Sequence, residues 1–327
     1  MRCWQDLQSA QRAFSQGKLV AIPTETVYGL AAPIFNEKLI HRIFEVKERP
    51  FFDPLIVHIG RFKEIDELAE NFNSLEWALA KRFWPGPLTL ITRKKKIVSD
   101  LITSGLEKLG IRMPAHPLAR RLIRTIGAPL AAPSANKFGR TSPTTAEHVR
   151  SEFSETDVYL LDGGPSEIGI ESTVCEARLE NSKAVIKILR PGKITEQDFK
   201  DFFEMNLSFS SFEIIHSASA AAPGQLENHY QAKIPLVITA DHPTQTQIEF
   251  IQTRLKLTPA TISTNAHFAE LRLSDQASIA ARQLYSSMRE LSESGNNWMY
   301  VRRSIQRSDE LWASIWNRLQ RASSLEI

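Results

Sequence analysis

Short apolar runs of strand length alternate with helix-period segments along most of this 327-residue chain, and that alternation confines it to an α/β fold. In the first 200 or so residues the strand-like runs are "LVAIPT", "LIVHI", "LTLIT", "LGIRMP", "APLAAPSA", "VYLLD", "STVCEA" and "AVIKIL". Helical patterns cover residues 5–16, 37–48, 74–83, 116–126 and 144–152. Some neighbouring strand runs have no helix between them, so a twisted mixed sheet is expected rather than a purely parallel one. The pattern changes after "LRPGKITEQDF": residues 205–235 are rich in small and polar residues and read as an interdomain linker. Beyond it come "PLVITA", a helix over 244–256, "ATIST", a helix over 275–293, "WMYVRR" and a helix over 308–322. Three strand–helix units predict a small Rossmann-like three-layer domain. The expected organisation is a mixed-sheet domain over 1–204, a linker over 205–235 and the small domain over 236–327.

Composition removes several function classes. Apolar residues make up 42% and charged ones 24%, which suits an ordinary globular protein, and no apolar run approaches the ~20 residues that span a bilayer. "MRCWQDLQSAQRAF" is interrupted by Gln and Asp and does not read as a signal peptide. With only Cys3 and Cys175 there is no disulfide framework, and a cytoplasmic location is expected. The net charge of +3 says less than its distribution. "RKKK" (93–96) and Arg112, Arg120, Arg121, Arg124, Lys137 and Arg140 make either a solvated basic face or a surface for phosphates or RNA.

The chain has no H-E-x-x-H, C-x-x-C, G-x-S-x-G or G-x-G-x-x-G motif. "GPSEIGIES" has glycines at P-loop separation, but Ile170 and Glu171 stand where Lys and Ser/Thr are required. Phosphate, if bound, is bound by another device.

Chemistry collects instead near the ends of the strand runs. "AIPTETVYGLAA" presents Thr24, Glu25 and Thr26, either as capping groups or as a ligand-facing cluster. "KERPFFDPLIVHI" holds Lys47 and Arg49 beside two helix-stopping prolines. His58 lies inside that apolar strand and by itself reads as core. Arg112 ends the strand of "GIRMPAHP" and requires an anionic partner or ligand. In "APLAAPSANKFGRTSPTTAEHV", small residues allow close backbone approach, and Ser134 and Asn136 can bond a ligand. Ser142 is a potential helix cap, Pro143 suits a first turn, and Thr144 with Glu147 suits a capping box whose amides offer an anion site. "GIESTV" supplies Ser172 and "ILRPG" supplies Arg190. Four cations with several hydroxyls suit a polyanion such as a nucleoside triphosphate, where chemistry needs positioning and charge stabilisation more than a nucleophile–base pair.

In order, "PTETVYGLAA", "KERP…PLIVHI", "WPGPLT", "IRMPAHP", "AAPSAN", "SPTTAEHV", "DGG…GIESTV" and "LRPG" resemble the YrdC-like family of L-threonylcarbamoyladenylate synthases in its longer two-domain form. The resemblance implies that L-threonine, bicarbonate and ATP, with Mg2+ on the triphosphate, give threonylcarbamoyl-AMP and pyrophosphate. The product would serve modification of tRNA beside the anticodon through a downstream threonylcarbamoyl transferase complex. By position, Thr24, His58, Arg112, Ala132 and Ser172 match threonine-side residues. Lys47, Arg49, Asp53, Ser134, Asn136, Ser142, Arg190 and Tyr230 match the nucleotide side, with Lys47, Arg49 and Arg112 as the catalytic cations. No metal site made by protein side chains alone is implied. Three places depart from the family pattern: Asp53 replaces a common asparagine, Lys108 a small hydroxyl residue, and the linker "APGQLENHYQAKIP" a more basic stretch. The rival reading is a non-catalytic module that binds double-stranded RNA or tRNA.

Overall fold

The computed structural model describes residues 2–180, 183–206, 208–209, 211–217, 229–257, 267–303 and 309–327. The chain divides into two compact units, one of residues 1–138 and 143–225, the other of 139–142 and 226–327.

The elements of the first unit are α1 (Arg2–Ser15), β1 (Leu19–Ile22), β2 (Gly29–Pro33), α2 (Glu37–Lys47), β3 (Ile56–His58), α3 (Glu64–Leu68), α4 (Ser74–Phe83), β4 (Leu88–Arg93) and α5 (Asp100–Thr103). They continue with β5 (Lys108–Arg112), α6 (Pro117–Ile126), β6 (Leu130–Ala131), α7 (Ala146–Arg150), β7 (Val158–Leu160), β8 (Thr173–Glu180), β9 (Lys183–Arg190), α8 (Glu196–Met205) and β10 (Phe212–His216). Ten strands form one sheet in the order β10-β9-β8-β4-β5-β3-β6-β2-β1-β7. Its pairings are mixed, as expected: β3 runs parallel to β5 and β4 to β8, while β4–β5, β8–β9 and β2–β6 are antiparallel. β1 is buried at all four positions, which accounts for its unbroken apolar run.

Local chemistry sets the boundaries. Asn73 and Glu76 make a reciprocal capping box that starts α4. Pro117 opens α6 behind a His116 cap, and Gly127 closes it in the left-handed region. The expected strand "APLAAPSA" shrinks to two residues because Pro129 and Pro133, which lack N–H donors, flank it. Ser134 recovers a single bridge to Gly29. The expected helix over 144–152 is also shorter. Its cap is Thr145, whose hydroxyl accepts from His148 N, rather than Ser142. Thr144 bonds His148 instead of closing a capping box, and a five-residue helix with its first turn so occupied offers no anion site. Within the segment read as linker, Phe212–His216 extends the large sheet parallel to β9.

The second unit contains β11 (Leu236–Thr239), α9 (Gln245–Arg254), β12 (Phe268–Glu270), α10 (Ala277–Glu293), β13 (Trp298–Arg302), α11 (Glu310–Ala322) and β14 (Ser323–Glu326). Its four strands pair in parallel in the order β12-β13-β11-β14. Val237, Trp298 and Tyr300 pack with Ile251 of α9, while the alternate residues Leu236, Ile238, Met299 and Val301 are buried on the other side. The expected strand "ATIST" lies outside the described residues. β14 was not anticipated, because "SSLE" has no strand-like apolar run.

Candidate active site

Two clusters of buried polar side chains occupy the first unit. One is built on β3, β5 and the loop between β1 and β2. His58 stands opposite Arg112 in the β3–β5 register, and Leu90 opposite Ile111 places Thr89 beside Arg112. Alternation then puts Ile56, Gly110 and Ile91 on the same face. At Gly110 a Cβ would come within 3.2–3.4 Å of Ile91, Thr89 and Ile56, so glycine keeps that face shallow. These are strand-end residues, as expected, but a shared sheet face is what gathers them.

The loop after β1 reaches Arg112. Arg112 Nη1 donates to Thr26 Oγ1 (2.9 Å), Nη2 to Glu25 Oε1 (2.6 Å) and Nε to Gly86 O (3.3 Å). Thr24 spends its hydroxyl proton on Val27 O (2.6 Å), so the 2.9 Å contact between Thr24 and Thr26 has Thr26 as donor. Arg112, Thr26, Thr24 and Val27 therefore form one directed chain. His58 is buried, and its Nδ1 lies 3.3 Å from Ile56 O. Burial, reinforced by the Arg112 charge, lowers its pKa to about 3, so the imidazole is neutral at physiological pH. Ala132 N donates to Ile56 O (3.0 Å), which brings the backbone of the "AAPSAN" turn beside β3.

Ser172, just before β8, shares a 2.8 Å bond with Thr89 and accepts from Arg190 Nη2 at 3.1 Å. Arg190 Nε and Nη2 also donate to Ser172 O, at 3.1 and 3.0 Å.

The second cluster forms where α2 ends. Glu48 adopts the left-handed conformation, and Arg49 N returns to Phe44 O (2.9 Å), so the chain turns sharply between Lys47 and Arg49. Lys47 Nζ donates to Ser134 O (2.6 Å) and Asn136 O (2.5 Å). Complete burial, with Arg49 nearby, pushes the Lys47 pKa well below its ordinary value. Arg49 donates to Asp53 O (3.1 Å) and Pro54 O (2.9 Å) and pairs with the Asp53 carboxylate at 2.9 Å. The carboxylate that departs from the family pattern is thus matched by a cation. A second departure, Lys108, pairs with Glu176 at 2.7 Å.

Ser142 and Tyr230 belong to the second unit. There Gln231 bridges the 139–142 segment, with Gln231 N donating to Gly139 O (2.7 Å) and Thr141 N to Gln231 O (3.1 Å). Tyr230 is buried with φ +66° and packs against His229, Tyr285 and Arg318. Linker residues Gln225 and Glu227 lie outside the described residues.

Sequence reasoning weighed Glu25 and Thr26 as capping groups or part of a ligand-facing cluster without assigning them to the site, and it passed over Thr89. For the first two, their place beside Thr24 was the available signal; Thr89, inside an apolar strand, carried none. Among the described residues no group of three His, Cys, Asp or Glu side chains is arranged to hold a metal ion. No helix among them is long and apolar enough to cross a membrane.

Residues 12–192 match the Sua5/YciO/YrdC family model, described as "Telomere recombination". Residues 185–324 match the model for the C-terminal domain of threonylcarbamoyl-AMP synthase. The chain is 36% identical to the threonylcarbamoyl-AMP synthase of Pyrococcus abyssi, over 95% of its own length and 92% of the relative's. It is 41% identical to the Bacillus subtilis threonylcarbamoyl-AMP synthase, over 74% and 69% of the two chains. Its structure superimposes on that of P. abyssi Sua5 complexed with L-threonine with a TM-score of 0.80 at 32% identity, covering 99% of this chain and 96% of the other.

Proposed function

The chain belongs to the threonylcarbamoyl-AMP synthase family in its longer two-domain form, and on that premise we propose how its site performs the reaction. L-Threonine, bicarbonate and ATP are converted to threonylcarbamoyl-AMP and pyrophosphate. Threonine's amine and bicarbonate form a carbamate with loss of water. A carbamate oxygen then attacks the α-phosphorus in line, and pyrophosphate leaves. Two anions must be brought together, so the protein's contribution is orientation and fixed positive charge.

The observation that best supports this reading is the state of Arg112. Three of its five N–H donors are engaged by Gly86 O, Thr26 Oγ1 and Glu25 Oε1, leaving one on each terminal nitrogen. A buried guanidinium with two N–H groups left suits the threonine carboxylate, gripped in bidentate fashion. Thr24, neutral His58, Ser172 and the backbone at Ala132 complete the threonine side. Lys47, Arg49, Ser134, Asn136 and Arg190 hold the nucleotide and stabilise charge at the α-phosphate and the leaving pyrophosphate. Asp53 acts there through Arg49, and Ser142 and Tyr230 are assigned to the nucleotide by position in the family pattern. Mg2+ arrives on the triphosphate as part of the substrate. The product serves threonylcarbamoylation of tRNA by a downstream transferase, and a cytoplasmic location goes with that reading.

The decisive assay is pyrophosphate release from Mg·ATP by purified protein, with threonine and bicarbonate each present or omitted. Release that requires both supports the synthase reading. No release, together with tight binding of tRNA or double-stranded RNA, would favour a binding module instead.

A further inference from the structure

Glu25 is almost fully buried and uses both carboxylate oxygens. Oε1 takes the 2.6 Å bond from Arg112 Nη2, and Oε2 accepts from Ala115 N at 2.9 Å. Its main-chain oxygen accepts from Ile168 N (2.8 Å), and the oxygen of the next residue, Thr26, accepts from Gly169 N (3.1 Å). One carboxylate therefore ties the loop after β1 to the end of β5 and to the turn that enters α6. The loop is itself braced by residues 166–169, and Ser166 Oγ donates to Thr24 O at 3.0 Å.

We propose that Glu25, assisted by Thr26, is a positioning residue for the reaction: it fixes the plane of the Arg112 guanidinium so that the two remaining N–H groups face the amino-acid substrate. This rests on the reading of Arg112 as the threonine-carboxylate residue. A guanidinium free to rotate about its last torsions would have to be ordered on binding, at the expense of affinity. Acceptors on Nε, Nη1 and Nη2 together define its plane before substrate arrives. Glu25 also supplies the counter-charge that a buried cation needs while the site is empty. Thr26 alone could not do this, because a hydroxyl offers no charge and the Thr26 proton is already spent on Thr24.

The test is calorimetric titration of L-threonine and of Mg·ATP into the full-length protein and into E25Q, T26V, R112A and the E25Q/R112A double variant, with a thermal melt of each. Binding rather than turnover is read, so an inactive variant still reports. E25Q should weaken threonine binding roughly ten-fold or more, the scale of a lost charge-assisted hydrogen bond, and leave Mg·ATP binding within about two-fold. T26V should act in the same direction more weakly, and it carries the test if E25Q does not fold. In the R112A background, E25Q should have no further effect on threonine. The proposal is overturned if E25Q binds threonine as the wild type does, if it weakens both ligands equally, or if it acts by the same factor with Arg112 gone. Unchanged threonine binding by R112A would instead refute the role given to Arg112, and with it the premise for Glu25.

Discussion

Asp53→Asn exchanges the carboxylate paired with Arg49 in the α2–β3 turn for the amide common in the family, and its consequences can be worked from the Arg49 contacts. The ion pair is 2.9 Å long, with side chains only 4% and 6% exposed, so water screens it little. Removing one member of such a pair outright costs about 3–5 kcal/mol. Here the loss is smaller, since asparagine keeps an acceptor and Arg49 retains the carbonyls of Asp53 and Pro54. The Oδ2 contact is an ion pair without hydrogen-bond geometry, so about 2 kcal/mol, below the range for outright removal of a partner, is the better guide. For a unit of this size that lowers Tm by roughly 4–8 °C. Binding should move the other way. A carboxylate repels a phosphate charge about 4 Å away by about 4 kcal/mol at an effective dielectric of 20 and less at greater separation, and Arg49 already offsets most of that. A net gain of about 1 kcal/mol, or roughly five-fold in the ATP KM, is expected. Scanning fluorimetry with and without Mg·ATP reads both effects, since ATP should stabilise the variant more than the wild type. A variant as stable as wild type without ATP would refute the structural half of the argument. A destabilised variant with an unchanged or raised ATP KM would show that Asp53 does not face the triphosphate.

Two further outcomes follow from the same geometry. His58 has a folded pKa of about 3, below its unfolded value, so its contribution to stability is present above pH 6.5 and is lost as pH falls towards 3. Between pH 7 and pH 5 the wild type should lose about 2 kcal/mol from this group alone, and His58→Gln should lose that much less; equal losses in urea titrations would count against a buried neutral imidazole. At Gly192 a Cβ would lie 2.4 Å from Thr173 N and 2.7 Å from Glu171 O and Ser172 C, all backbone atoms with little room to yield. Gly192→Ala should cost about 2 kcal/mol or more and raise the threonine KM by displacing Ser172, and wild-type stability in a denaturant melt would sink that account.

Much of the architecture was legible because apolar period and capping chemistry agree. α4 begins at its Asn-x-x-Glu box and α6 at His-Pro, both readable from side-chain type alone. Where sequence reading failed, two local signals competed or none was present. Ser142 and Thr145 are equally good caps on paper, and only the hydrogen bond from His148 N selects Thr145. Phe212–His216 was absorbed into a polar segment because its strand is largely exposed at the sheet edge and shows no buried alternation. His58 is ambiguous in principle: an apolar strand hides whether a histidine meets packed side chains or, as here, a neighbouring arginine across the register.

The site was legible in its charges and opaque in their partners, and the reason is chemical. Lys47 is held by the main-chain oxygens of Ser134 and Asn136, Arg49 by those of Asp53 and Pro54, and Arg190 by that of Ser172. Every residue carries a carbonyl, so no choice of side chain announces these bonds. The same economy matters for function. A carbonyl orients a cation by its dipole without neutralising it, so the positive field stays available for an incoming anion. Carboxylates stand directly against two of the cations beside these carbonyls, Asp53 on Arg49 and Glu25 on Arg112. A cation held by carbonyls is less fully compensated when the site is empty, and better at drawing a triphosphate and a carbamate together, than one paired with an acid. The sequence therefore shows the cations near strand ends, and the fold supplies the carbonyls that orient them.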